Sequence, residues 1–196
     1  CKSIGLSLET PTLKAKKIAK DIQLGGAFNV AKNIVNLGAT CKFLTLVGND
    51  EYTKYFHSFK KENFSLLPVY EDRENTVKER FWVERSGKQY KYFQLNTISN
   101  DPIVEKNTAI DLFRDNIKDV DVVLLVDYRN GLMTEDLVNS FKSIAKEYNK
   151  QIIASSQTSD KQSNHILYKN VDLICMNEKE AKSHSANLET LSELFN

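Results

Sequence analysis

The 196-residue sequence predicts an α/β fold: a mostly parallel central sheet flanked by helices, with a small antiparallel β lid beside it. Two features carry that expectation. Apolar runs of strand length alternate with amphipathic segments of helical period, as βαβ units require. In the middle of the chain three aromatic and β-branched runs follow one another with no helix between them, as an antiparallel insertion would.

Val30, Ala31, Ile34 and Leu37 recur at helical spacing and Gly38 follows as a cap, so residues 27–37 read as a helix. Residues 42–47 read as a buried strand, and Asp50 opens a helix that gathers Tyr52, Tyr55, Phe56 and Phe59 on one face. Residues 65–70, 76–84 and 89–95 are the lid strands, the last two joined through Arg85-Ser86-Gly87-Lys88 as a hairpin turn. Alternation then resumes with a helix over 110–117, a strand over 120–126, and a helix from Thr134 carrying Leu137, Phe141, Ile144, Ala145 and Tyr148. A strand over 151–154, a short helical stretch before Asn170, a strand over 171–175 and a helix after Asn177 complete the order. With no repeat, low-complexity tract or linker, residues 1–196 read as one domain whose lid is formed mainly by residues 65–95.

Lys and Arg number 27 against 26 Asp and Glu, a formal charge of +1, so no overall field attracts nucleic acid or an acidic membrane. The longest wholly apolar run, residues 122–126, is far short of a membrane span. Cys1, Cys41 and Cys175 are too scattered for a disulfide framework or a zinc site, which fits a reducing, cytoplasmic compartment.

In an open parallel sheet, ligands collect beyond the carboxyl ends of the strands. Three polar clusters fall there. Gly25-Gly26-Ala27-Phe28-Asn29 opens the first helix, where two glycines permit close approach and the helix N-terminus offers N–H groups; a tight turn reads as well. Asp127-Tyr128-Arg129-Asn130-Gly131 follows the most apolar strand, where a carboxylate can hold a metal or a hydroxyl, or where Gly131 simply closes a turn. Asn177 and Glu180 share a helix face at i, i+3 and can offer an amide and a carboxylate to hydrated magnesium, or cap the helix. His57, His165 and His184 have no ligand spacing, and Lys14, Lys16, Lys17 and Lys20 read as a solvated segment. Neither G-x-S-x-G nor a Walker-type glycine loop occurs.

The order and wording of the clusters add more. Gly25-Gly26-Ala27-Phe28-Asn29-Val30-Ala31-Lys32-Asn33, then Leu37-Gly38-Ala39, then Val47-Gly48-Asn49-Asp50-Glu51 resemble the G-G-A-x-N-V-A-x-N, L-G-A and V-G-x-D-E signature of the ribokinase-like, or PfkB, carbohydrate kinases. Within that family the chain is most similar to the kinase half of the bifunctional heptose phosphate kinase and nucleotidyltransferase proteins. Ser7-Leu8-Glu9-Thr10-Pro11 resembles S-x-E-x-P, and Thr76-Val77-Lys78-Glu79-Arg80 resembles T-x-K-x-R. Asp127-Tyr128 with Gly131-Leu132 resembles D-Y-x-x-G-L, and Asn177-Glu178-Lys179-Glu180-Ala181 resembles N-E-x-E-A.

The resemblance implies a ribokinase-like fold and transfer of a phosphoryl group from ATP, with Mg2+, to a hydroxyl of a phosphorylated sugar such as a heptose 7-phosphate. It implies that Gly26, Asn29 and Asn33 hold sugar hydroxyls, with Gly25 and Asp127 on the same substrate side. Lys78 and Arg80 on the lid face the substrate or its phosphate, while Asn177 and Glu180 serve the nucleotide phosphates and the metal, Glu180 as its ligand. A homodimer through the lid is also implied. The family's catalytic base is the Asp of a G-A-G-D motif, which the chain lacks. That motif is expected beyond Asn196 and the family's first strand before Cys1, so the domain reads as truncated at both ends and inactive by itself. Ser155-Ser156-Gln157 stands where heptose kinases read D-P-K, and Asn130 where Lys is common. Those departures keep two alternatives open: another ribokinase-like sugar or nucleoside kinase, and a catalytically degenerate domain that binds a sugar phosphate.

Overall fold

A computed structural model describes residues 1–7, 9, 12–157, 163–184 and 193–195. Leu8, Thr10 and Pro11 of the S-x-E-x-P-like run lie outside the described residues, as do 185–192 of the C-terminal stretch. The described order is β1 (Lys2–Leu6), β2 (Leu13–Lys16), α1 (Ala27–Asn36), β3 (Cys41–Val47), α2 (Thr53–Ser58), β4 (Phe64–Tyr70), β5 (Val77–Arg85) and β6 (Lys88–Thr97). It continues through α3 (Lys106–Asn116), β7 (Val122–Asp127), α4 (Glu135–Glu147), β8 (Gln151–Ser156), β9 (Leu173–Cys175) and α5 (Glu178–Lys182).

The fold is α/β, with the parallel strands in two pieces: β3 pairs with β4, and β7, β8 and β9 form a second sheet in that order. Helices connect the parallel neighbours, α2 between β3 and β4 and α4 between β7 and β8, as parallel pairing demands. Among the described strands none pairs with the other edge of β3 or of β7, and both edges border one cavity of about 2030 Å³.

The main core gathers around α4, whose Leu137, Val138, Phe141, Ile144 and Ala145 are buried against Leu125, Ile152 and Ala154 of the sheet. Glu135 and Asp136 occupy its first turn, where the helix dipole favours acids, and Asp136 pairs with Lys106 of α3 at 2.6 Å. A second apolar centre forms where Phe28 of α1 meets Phe43, Phe56, Phe59 and Phe64 with ring centroids 5.2 to 6.0 Å apart. The helical spacing of α1 buries Phe28, Ala31 and Val35 and leaves Asn29 and Asn33 exposed.

Three expectations change. Residues 65–70 do not belong to the lid: β4 follows the α2 crossover and pairs in parallel with β3 from Cys41↔Phe64 to Val47↔Tyr70. A strand after a helix lands beside its parallel predecessor, and its aromatic character served packing against α1, with Phe64 on Phe28. The lid instead has four strands in the order β2-β1-β5-β6, drawing two from the start of the chain. The stretch read as solvated therefore includes β2, an edge strand whose Lys14 and Lys16 are exposed, a common way to protect an open edge. Finally, α3 begins at Lys106, one turn before the apolar periodicity announced it, because Glu71 from the lid hinge accepts the Val104 and Glu105 amides at 2.7 and 2.9 Å. The hairpin turn at Ser86-Gly87 stands as read, pairing Arg85 with Lys88.

Candidate active site

The cavity gathers the loops that the sequence singled out. Gly25 and Gly26 border it from the start of α1, Asp127, Tyr128 and Asn130 from the end of β7, and Lys78 and Arg80 from β5 of the lid. Asn29 and Asn33 do not line it; they stand on the outer face of α1. Lys78 and Arg80 lie two apart on a strand, so they share a face, and neither enters an ion pair among the described residues.

Gly26 takes φ 58° and ψ −138° to start α1, a conformation that glycine adopts without strain. A Cβ at that position would lie 3.6 Å from the Tyr128 ring, so the aromatic packs directly on the glycine backbone. The loop that carries Tyr128 is tightly built. Arg129 has φ 62°, and its N–H donates to Asp127 Oδ1 at 2.6 Å, closing an Asx turn. Gly131 has φ 91°, and a Cβ there would come within 2.0 Å of the Asp101 carbonyl, so glycine is required for both reasons.

Asp127 itself points into the protein. It is 4% exposed, and its Oδ2 accepts from Asn164 Nδ2 at 2.8 Å and from the Tyr168 hydroxyl at 3.0 Å. Ser156 Oγ lies 3.4 Å from the same oxygen and donates to Asn164 Oδ1 at 2.6 Å. The carboxylate is thereby occupied by interior donors, as a buried charge must be. Burial, then the Asp127 charge and the hydrogen bond to it, push the Tyr168 phenol far above its ordinary range, so the hydroxyl remains a donor. Ser156, the middle residue of the Ser155-Ser156-Gln157 departure, thus joins a structural network, and the Gln157 amide closes on the Asp127 carbonyl at 3.1 Å.

The lid is tied to the body by a second polar knot. Asp50 accepts from the Asn75 amide and side chain, both at 2.7 Å, and from Tyr52 N at 2.8 Å. Burial works to raise the Asp50 carboxyl, but the Asn75, Tyr52 and Thr53 hydrogen bonds outweigh it and hold the group below its ordinary value. Arg73 joins the two strands entering the lid, donating to Ser99 Oγ at 2.8 Å and to the Asp101 carbonyl at 2.9 Å.

Asn177 and Glu180 form a reciprocal capping box: Asn177 Oδ1 accepts the Glu180 amide at 2.9 Å, and Glu180 Oε2 accepts the Asn177 amide at 2.8 Å. They sit after β9, on the same carboxyl edge as Asp127, because β7, β8 and β9 run in parallel. No group of three or more His, Cys, Asp or Glu side chains converges as a metal cage among the described residues. Glu180 brings one carboxylate to this edge, 8% exposed and engaged in the capping box, and neither it nor Asn177 borders the cavity. His165 and His184 are brought together across Ser163 Oγ, 2.6 Å from each, and His165 is fully buried, which its spacing in the sequence did not announce. Burial pushes the His165 imidazole below its ordinary value.

The resemblance to the ribokinase-like carbohydrate kinases implied parallel strands with a separate β lid, and both are present. Phosphofructokinase-2 from Escherichia coli in complex with fructose-6-phosphate superposes with a TM-score of 0.61 at 17% identity, over 98% of this chain and 64% of that one. Arabidopsis thaliana ribokinase complexed with ribose and ATP gives 0.54 at 12% identity, over 85% and 54%. Residues 7–194 match the family described as pfkB family carbohydrate kinase, and the chain belongs to that family. Among curated relatives, the bifunctional protein HldE of Campylobacter jejuni subsp. doylei is 30% identical over 181 residues, 92% of this chain and 37% of its own. HldE of Geobacter metallireducens is 26% identical over 183 residues, 92% and 36%. The chain thus spans little more than a third of the length of these relatives.

Proposed function

We propose that the complete protein is an ATP-dependent sugar kinase that acts on a phosphorylated sugar of the heptose 7-phosphate type, in the cytoplasm. The observation that carries this reading is the pair Lys78 and Arg80: two cations outside any described ion pair, on one face of the lid, bordering the cavity that Gly25 and Gly26 also border. An acceptor that carries a phosphate suits a cavity bordered by two such cations better than a neutral sugar does. Similarity to HldE proteins favours a heptose among the phosphorylated sugars.

Mg·ATP supplies the phosphoryl group. In the reaction a sugar hydroxyl oxygen bonds to the γ-phosphorus as the bond to the bridging β–γ oxygen breaks, ADP leaves, and the hydroxyl proton passes to a base. Gly25, open on the side where a Cβ would stand, would let the sugar reach the backbone, Lys78 and Arg80 would hold its phosphate, and the Asn177–Glu180 box would stand at the edge that serves the nucleotide phosphates and the metal. The G-A-G-D motif that the resemblance implies for the base does not occur in these 196 residues. We read residues 1–196 as part of one kinase domain, with a homodimer contact through the lid, whose Tyr90, Tyr92, Phe93 and Leu95 are about half exposed.

The test is ADP release by the complete gene product with a panel of sugars and sugar phosphates. Lys78→Ala and Arg80→Ala each raise the acceptor KM about 10-fold or more for phosphorylated acceptors and leave the KM for ATP alone. Equal turnover of plain and phosphorylated sugars rejects the phosphosugar assignment, and sugar-phosphate binding without ADP release points to the degenerate binding domain.

A further inference from the structure

Resting on the kinase reading, we infer that Tyr168 is a positioning residue for Tyr128: through Asp127 it fixes the aromatic wall against which the acceptor sugar is seated. Tyr168 has no access to solvent and packs in the main core, in a 3₁₀ turn that contacts α4 and β8. Its hydroxyl reaches across 41 residues of sequence to Asp127 Oδ2. Asp127 Oδ1 in turn holds the Arg129 amide, and between these two residues stands Tyr128, with its ring on Gly26.

Each link has one geometric task. The core fixes the phenol, the phenol and Asn164 fix one carboxylate oxygen, and the other oxygen closes the Asx turn. The turn then lays an aromatic ring on Gly26 at the border of the cavity, beside Gly25, whose backbone stays open to a sugar. An apolar ring face suits the C–H face of a sugar and carries no charge to repel a phosphate. Asp127 is on this view no sugar ligand: its oxygens are committed to holding the loop. The same geometry explains why a carboxylate stands at the end of the most apolar strand, where a buried charge costs stability unless its donors are in place.

The experiment is a double-mutant cycle in the complete gene product, with ATP and either an aldoheptose 7-phosphate or fructose 6-phosphate as acceptor. Tyr128→Ala raises the acceptor KM about 20-fold and Tyr168→Phe about 5-fold, with the ATP KM changed by less than about 2-fold in either. In the Tyr128→Ala background, Tyr168→Phe adds less than about 2-fold, because its effect passes through the missing ring. A full and independent effect in that background, or equal changes in both KM values, overturns the inference while leaving the kinase reading intact. If no sugar acceptor is turned over at all, the kinase reading falls, and hydrogen exchange still decides the positioning role. Exchange of the Arg129 amide quickens about 10-fold in Tyr168→Phe if the phenol holds the loop, and an unchanged rate overturns it.

Discussion

The two parallel sheets are built from similar sequence texture and end in different states. In the β7–β8–β9 half, α4 and the Tyr168 turn cover the sheet, and Leu125, Leu137, Val138, Phe141, Ile152 and Ala154 are each at most 2% exposed. In the β3–β4 half, only Val47 and Val69 of the two strands are buried, although both strands are as apolar as β8. The difference lies in what covers each face and edge. The β7–β8–β9 half carries α4 and the Tyr168 turn on its covered face, whereas the β3–β4 half is packed by α1 and α3, and both halves border the cavity along an edge left free among the described strands. Packing density, more than hydrophobicity of the strand, separates the scaffold from the binding region.

The largest expected effect is at Gly131, where the loop after β7 meets the chain that leaves the lid. Gly131→Val forces a left-handed backbone and a side chain into the Asp101 carbonyl, and thermal denaturation should show a loss of about 4 kcal/mol or no folded protein. Retained stability would show that this contact yields, and that the β7–β8–β9 half does not depend on it.

Next in size, Phe141→Ala in the β7–β8–β9 half should cost about 3–5 kcal/mol by denaturant unfolding. Phe93→Ala on the lid, where the ring is 49% exposed and stacks on Phe81 at 4.1 Å, should cost about 1 kcal/mol or less. Equal losses would erase the distinction between scaffold and lid.

The smallest effect concerns the hinge. The folded Asp50 carboxyl titrates below its ordinary value of about 4, so its contribution is complete above that pH and is lost as pH falls through the lower folded value. Asp50→Asn should therefore flatten the acid limb of a stability–pH curve and leave its neutral plateau lower; an unaltered acid limb would remove Asp50 from the account of how the lid is held.

The candidate site was legible in part. Gly25-Gly26, Lys78, Arg80 and the loop after β7 were visible because glycine pairs, charges on strands and turn residues at strand ends are local signals, and the structure brings them to one cavity. Asn29 and Asn33, expected on the substrate side, are exposed on α1 and outside the cavity lining, because the helical period that buries Phe28 and Val35 puts them on another face. Asp127 was visible as a polar residue after an apolar strand, but its partners Ser156, Asn164 and Tyr168 were not, since they come from 29, 37 and 41 residues away. Nothing about a tyrosine in a short 3₁₀ turn marks it as the donor to a distant carboxylate.

By itself the sequence determined the alternation of strands and helices, the β5–β6 hairpin and the resemblance that led to the family, because periodicity and turn chemistry act between residues only a few positions apart. Tertiary structure alone decided that residues 64–70 join β3 instead of the lid, that the chain's first strands complete the lid, and that the Asp127 carboxylate faces inward. Strand partners and buried hydrogen bonds are chosen by which surfaces pack, and packing is a property of the whole chain.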